Sequence, residues 1–165
     1  MMVENTEEPL VALAARLGEA ALARGAMIAT AESCTGGLVA GAITAIAGSS
    51  AWFERGFVTY SNLAKEEDLG VSPSILARFG AVSEETAKAM AEGALRGGAA
   101  KWAVAVTGIA GPDGGSADKP VGTVWFAWAG PGHLEALGRR FDGDRRAVRE
   151  ASVRVALEGL VDRLA

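Results

Sequence analysis

The stretch from Trp102 to Thr107, Trp-Ala-Val-Ala-Val-Thr, begins with five consecutive apolar residues. A strand with one face in solvent alternates apolar and polar side chains, whereas an unbroken apolar run is typical of a strand that is buried on both faces. We therefore predict a central strand here, with helices packed on both sides of its sheet.

The rest of the chain supplies the other elements of such a fold. Apolar residues at helical spacing predict long helices at residues 9–24, 35–47, 83–96 and 144–164, and short helices at 62–69 and 73–79. Runs with strand composition occur at residues 27–31, 52–60, 121–129 and 133–141. This order predicts an α/β fold, a three-layer α/β/α sandwich with a mixed five-stranded sheet.

Size and charge narrow the class of protein. With 165 residues, half of them hydrophobic, we expect one domain over residues 1–165, in which the acidic segment 1–8 is a flexible tail. There is no apolar run of membrane-spanning length, and the first residues are acidic where a secretory signal is basic, so we expect a cytoplasmic protein without a membrane partner. A net charge of −4 without a run of Lys or Arg argues against nucleic-acid binding.

A strand, a polar turn and a helix follow one another at residues 28–40, where the turn reads Ser33-Cys34-Thr35-Gly36-Gly37. Such a turn presents hydroxyls and free amides at the edge of a sheet. Ser33 could be a nucleophile, with the amides of residues 34–36 stabilising an oxyanion. The same donors could instead hold a phosphate, or Ser33 and Thr35 could only cap the helix.

Cys34 is the single cysteine, so it forms no internal disulfide. It is a rival nucleophile to Ser33, although a buried cysteine that packs as a small apolar side chain is the commoner case, and we expect that role. Because the chain also has only one histidine, His133, we expect no metal site of the usual nitrogen and sulfur type.

A serine nucleophile needs a base. His133 begins a predicted hairpin strand, where we expect it at the surface, and no Gly-x-Ser-x-Gly motif surrounds Ser33. Of the four lysines, only Lys65 follows the end of a strand, five residues after the sole tyrosine, Tyr60. We predict that Lys65, directly or through Tyr60, takes the proton; the alternative is a solvated lysine on a helix capped by Asn62.

Two further segments suggest ligand contacts. The glycine-rich loop after Thr107, residues 108–116, could bring backbone amides close to a ligand, or could be only a flexible connector. A short cluster of five arginines suits a small anion better than a polymer. Its members are Arg139, Arg140, Arg145, Arg146 and Arg149.

Four ordered motifs resemble the CinA C-terminal domain family, whose stand-alone members are nicotinamide-nucleotide amidohydrolases. They are Ala31-Glu-Ser-Cys-Thr-Gly-Gly-Leu38, Tyr60-Ser-Asn62 with Lys65 and Leu69-Gly-Val71, Val106-Thr-Gly-Ile-Ala-Gly-Pro112, and Gly143-Asp-Arg145 with Val148-Arg149. The resemblance covers the chain from about Leu10 to its end. It implies a fold similar to anticodon-binding-like sandwiches and association into homodimers or larger homo-oligomers.

The resemblance also implies an activity. This is hydrolysis of the carboxamide of nicotinamide mononucleotide to nicotinic acid mononucleotide and ammonia, without metal or cofactor, so that the partner is a small pyridine nucleotide. The catalytic residues it implies are Ser33, Tyr60, Lys65 and Thr107. The substrate-binding residues we predict are Cys34, Thr35, Gly36, Asn62, Gly108, Gly111, Arg145 and Arg149. A non-catalytic nucleotide-binding or interaction module and an amidase for another amide are the alternatives.

Overall fold

The computed structural model describes residues 7–165, so residues 1–6 of the predicted tail lie outside the described residues. Its helices are α1 (Leu10–Arg24), α2 (Leu38–Thr44), α3 (Asn62–Leu69), α4 (Pro73–Phe79), α5 (Glu84–Leu95) and α6 (Arg145–Leu164). Its strands are β1 (Ile28–Glu32), β2 (Phe53–Val58), β3 (Trp102–Gly108), β4 (Thr123–Gly130) and β5 (His133–Arg140). No helix within residues 7–165 has both the length and the apolar character needed to cross a membrane.

The five strands form one sheet in the order β2-β1-β3-β4-β5. Strands β2, β1 and β3 are parallel, and β4 and β5 join antiparallel to them. The mixed five-stranded sheet and the α/β/α layering predicted from the sequence are therefore confirmed. Because three neighbouring strands run in one direction, their carboxyl ends lie along a single edge, which is where open α/β sheets bind ligands.

The central strand β3 has a bulky face and a small face. Trp102, Val104 and Val106 belong to the core against α1, α2 and α6. Ala103 and Ala105 belong to the core against α3, α4 and α5. Both sets are buried, as the apolar run predicts. Alanines on one face let the helices of that layer approach the sheet closely, and that layer includes α3, the helix that carries Lys65.

Helix α2 is shorter than predicted. The sequence pattern indicated residues 35–47, but the helix runs from Leu38 to Thr44. Gly36 and Gly37 have φ values of 57° and 105°, which a right-handed helix does not contain. The prediction was therefore wrong for residues 35–37 and 45–47, and two left-handed glycines end the serine turn before the helix begins.

Two other local predictions need correction. Strand β2 ends at Val58, not at Tyr60 as predicted, although the Thr59 amide still donates to the Glu32 carbonyl of β1 at 2.8 Å. The N-cap of α3 is Ser61, whose Oγ accepts a hydrogen bond from the Ala64 amide at 3.0 Å, and Asn62 is the first helical residue. The sequence prediction of Asn62 as the cap was therefore wrong by one residue.

Candidate active site

A cavity of about 310 Å³ opens at the carboxyl edge of the parallel strands. Eight of the twelve predicted site residues line it: Ser33, Cys34, Tyr60, Lys65, Thr107, Gly108, Gly111 and Arg145. The predicted residues Thr35, Gly36, Asn62 and Arg149 do not line this cavity. The structure therefore brings residues from four separate segments of the chain together at one edge of the sheet.

Ser33 and Lys65 are in direct contact at the floor of the cavity. Lys65 Nζ donates to Ser33 Oγ at 3.0 Å and to the Thr59 carbonyl at 2.7 Å. Lys65 is only 1% exposed, which is rare for a lysine. Burial disfavours the charged ammonium and lowers the pKa of Lys65 to about 8. The neutral amine, which can accept a proton, is therefore more accessible near physiological pH than it is in a solvent-exposed lysine.

A buried carboxylate that the sequence analysis missed holds the serine turn. Glu32 Oε1 accepts hydrogen bonds from Thr35 Oγ1 at 2.6 Å and from the Val39 amide at 2.8 Å, and Oε2 accepts from the Ala40 amide at 3.1 Å. Glu32 thus caps α2 and engages the Thr35 hydroxyl. The available signal was the only charged residue of β1, at the end of that strand and directly before the serine.

The backbone amides of the turn are not equivalent. The Gly36 amide donates to the Ser33 carbonyl at 3.0 Å, and the Ser33 amide donates to Val106 O at 2.9 Å. Within the described part of the chain, the amides of Cys34 and Thr35 donate to no backbone carbonyl. Of the three residues whose amides were predicted to stabilise an oxyanion, only Cys34 is among the described residues that line the cavity, so its amide is the best-placed donor.

The thiol of Cys34 is a poor competitor for Ser33. Burial raises the pKa of Cys34 to about 11, so the thiolate is scarce at neutral pH. The side chain packs against Gly108, where an added Cβ would lie 3.1 Å from the Cys34 sulfur. Cys34 therefore has the buried apolar environment that we expected from the sequence.

Tyr60 lies at the rim of the cavity, bonded to Arg145. Arg145 Nη2 donates to Tyr60 Oη at 3.0 Å, and Nη1 donates to the Gly111 carbonyl at 2.9 Å. Tyr60 is 63% exposed, and Lys65 Nζ reaches only its backbone carbonyl, at 3.5 Å. In this arrangement Lys65, and not the Tyr60 hydroxyl, makes the hydrogen bond to Ser33.

The remaining predicted residues have structural partners. Thr107 Oγ1 donates to Ala81 O at 2.9 Å, which ties the end of β3 to the segment between α4 and α5. Arg149 donates to the carbonyls of Cys34 and Thr35 at 3.2 and 3.3 Å. Arg149 therefore supports the serine turn from α6 instead of reaching the cavity.

His133 is exposed, with half of its side chain accessible, as the sequence analysis expected. Within residues 7–165 no group of three or more His, Cys, Asp or Glu side chains is arranged to hold a metal ion. The polar side chains that the described structure brings to this edge of the sheet include those of Ser33, Lys65, Tyr60 and Arg145.

The fold and this site define an α/β protein with a serine and a buried lysine in contact beyond the carboxyl ends of its parallel strands. The chain matches the CinA C-terminal domain over residues 10–164, and it belongs to that family. The resemblance drawn from the four motifs is thereby confirmed.

Similar proteins cover nearly the whole chain. A protein named nicotinamide-nucleotide amidohydrolase PncC from Escherichia coli strain K12 is 57% identical over 94% of this chain and 94% of its own length. A protein of the same name from Pseudomonas putida is 53% identical over 93% of this chain and 96% of its own length. The crystal structure of the competence/damage inducible protein CihA from Agrobacterium tumefaciens superposes with a TM-score of 0.91 at 50% identity, over 98% of both chains.

Proposed function

We propose that this chain hydrolyses the carboxamide of nicotinamide mononucleotide, giving nicotinic acid mononucleotide and ammonia. The observation that carries the proposal is the 3.0 Å contact between Ser33 Oγ and a lysine amine whose burial favours its neutral form. The names of the similar proteins from E. coli and P. putida, at 57% and 53% identity over almost their full lengths, support the substrate.

The first half of the reaction forms an ester. Neutral Lys65 accepts the Ser33 hydroxyl proton while Oγ attacks the carboxamide carbon. The negative charge that develops on the carboxamide oxygen is stabilised by the amide of Cys34, a residue that lines the cavity. Lys65 then returns the proton to the amide nitrogen, the C–N bond breaks, and ammonia leaves.

Water completes the reaction. It attacks the ester carbon, Lys65 accepts one of its protons, and the tetrahedral intermediate again places its oxyanion at the turn. As the bond to Ser33 breaks, Lys65 returns that proton to Oγ and the free acid is released. Each proton that Lys65 accepts is returned within the same half-reaction, so the proton balance closes with Lys65 alone.

The phosphate is proposed to bind at the rim. Arg145 lines the cavity and is exposed, whereas both side-chain contacts of Arg149 go to the serine turn. A guanidinium pairs well with a phosphate, so Arg145 is the better candidate. Thr107 and the loop that begins at Gly108 form the wall between floor and rim, where they orient the substrate.

Release of ammonia from nicotinamide mononucleotide tests the proposal. Ser33→Ala should lower kcat by about 10³-fold or more, because attack on the amide is lost. Ser49→Ala is the matched control, since Ser49 has the same 8% exposure and lies outside the cavity. Binding of the nucleotide without any ammonia release would instead favour a binding module, and turnover of a different amide in a substrate panel would reassign the substrate.

A further inference from the structure

Among the described residues that line the cavity, Asp113 is the only acidic one. The other charged side chains there are Lys65 at the floor and Arg145 at the rim. Asp113 is exposed, and none of the ion pairs between described residues involves it. The proposed mechanism leaves this carboxylate unused, although it faces the space where the substrate would lie.

The loop that carries Asp113 is held in place on both sides. The Ile109 amide donates to Thr123 O at 2.9 Å, and the Gly122 amide donates to Ile109 O at 2.8 Å. Arg145 binds the Gly111 carbonyl, two residues before Asp113. Beyond Asp113, an added Cβ at Gly115 would lie 2.9 Å from the Val121 amide nitrogen, so the loop packs directly on backbone there. Asp113 is therefore presented by an ordered segment.

The exposure of the lining side chains indicates how the substrate is oriented in the cavity. Ser33 and Lys65 are 8% and 1% exposed, so the carboxamide must enter deepest. Arg145 and Asp113 are exposed at the rim. In nicotinamide mononucleotide the carboxamide and the phosphate lie at opposite ends with the ribose between them. With the phosphate at Arg145, the ribose lies between the floor and the rim, beside the loop.

Only a hydrogen-bond donor of the substrate can pair with the carboxylate of Asp113. An ionised carboxylate only accepts hydrogen bonds, and phosphate oxygens only accept as well. Apart from the carboxamide at the floor, the hydrogen-bond donors of the substrate are the ribose hydroxyls. We propose that Asp113 accepts hydrogen bonds from the 2′- and 3′-hydroxyls of the ribose and is a specificity-determining residue. This inference rests on the proposed function, and it predicts that the site prefers a ribosylated amide to free nicotinamide.

A substrate and a residue can be altered in turn to test the contact. Asp113→Asn should lower kcat/KM for nicotinamide mononucleotide by about 10- to 100-fold, mainly through KM, because a charged hydrogen-bond acceptor is lost. With the 2′,3′-dideoxyribose analogue, which lacks both hydroxyls, the same variant should differ from wild type by less than about threefold, because the interaction is already absent. Asp118→Asn, an exposed residue of the same loop that does not line the cavity, should match wild type on both substrates.

Several results would overturn the assignment. Equal losses for Asp113→Asn on both substrates would mean that Asp113 acts without the hydroxyls, and no loss on either would mean that it makes no contact. Reduced nicotinamide mononucleotide, whose ring is neutral, gives a further readout. A loss on the oxidised but not on the reduced nucleotide would assign Asp113 to the ring charge instead. Failure of the wild type to hydrolyse nicotinamide mononucleotide would refute the proposed function itself, before any variant is compared.

Discussion

Lys65 Nζ donates a hydrogen bond of 3.0 Å to Ser33 Oγ, although the two residues are 32 positions apart and follow different strands. The contact exists because β1 and β2 are parallel neighbours, so that their carboxyl ends lie side by side. Lys65 is one of the two buried residues of α3, the helix that Ser61 caps directly after β2. The proposed activity depends on this juxtaposition.

The pH dependence of the reaction should follow the deprotonation of Lys65. Because burial lowers the pKa of Lys65 to about 8, the neutral base becomes more abundant as the pH rises from 6 to 8. We expect kcat/KM to rise about tenfold per pH unit well below pH 8 and to level off above it. Rates of ammonia release between pH 5.5 and 9.5 measure this directly.

Lys65→Arg is the companion variant for the pH profile. It keeps a positive charge at the site but cannot supply a neutral base, because a guanidinium does not lose its proton in this range. We expect almost no activity at any pH. A flat pH profile of kcat/KM for the wild type, or an active Lys65→Arg enzyme, would show that Lys65 is not the base.

Cys34 should be dispensable for the chemistry. Since burial raises the pKa of its thiol to about 11, Cys34→Ala removes packing and not a nucleophile. We expect kcat to fall by less than about tenfold, against the loss of about 10³-fold expected for Ser33→Ala. Iodoacetamide should label native Cys34 slowly, and rapid labelling with parallel loss of activity would point to the thiol as nucleophile.

Glu32 should stabilise the protein through the serine turn. Glu32→Gln replaces one acceptor oxygen by an amide donor, in a place where the Thr35 hydroxyl and the amides of Val39 and Ala40 all donate. We expect a loss of about 1–3 kcal/mol in the free energy of unfolding, together with a lower kcat. Urea unfolding measures the first effect.

Glu19→Gln serves as the matched control for Glu32, because Glu19 is an exposed glutamate on α1. It should unfold within about 0.5 kcal/mol of wild type. If Glu32→Gln were equally harmless, the buried carboxylate would not be what holds the turn.

The regular parts of the fold were predictable because their signal is local. Strand β3 follows from five consecutive apolar residues, and α6 follows from its helical spacing with Asp144 as its cap. Lys65 could be predicted as the base by elimination, because the chain has only four lysines and one histidine. Periodicity is a property of neighbouring residues, and the number of candidate bases is a property of the whole composition. Both can be read from a single sequence.

The details of the site depend on contacts that a single sequence does not encode locally. The hydrogen bond between Arg145 and Tyr60 joins residues 85 positions apart, and either residue alone resembles an ordinary surface side chain. The role of Glu32 depends on two left-handed glycines that turn the chain back over it. Arg145 and Arg149 lie on one helix, and only the packing of α6 decides which of them reaches the cavity.

The two arginines should therefore respond differently to the substrate phosphate. Arg145→Gln should raise KM for nicotinamide mononucleotide by about 10- to 100-fold but change little with nicotinamide riboside, which has no phosphate. Arg149→Gln should lower kcat on both substrates to the same degree, because it loosens the carbonyls of Cys34 and Thr35 and removes no phosphate contact. Steady-state kinetics of both variants with both substrates separate the two roles. If Arg149→Gln alone showed the phosphate-dependent rise in KM, the phosphate would bind on the α6 side of the turn, and the substrate would have to enter the cavity in a different orientation.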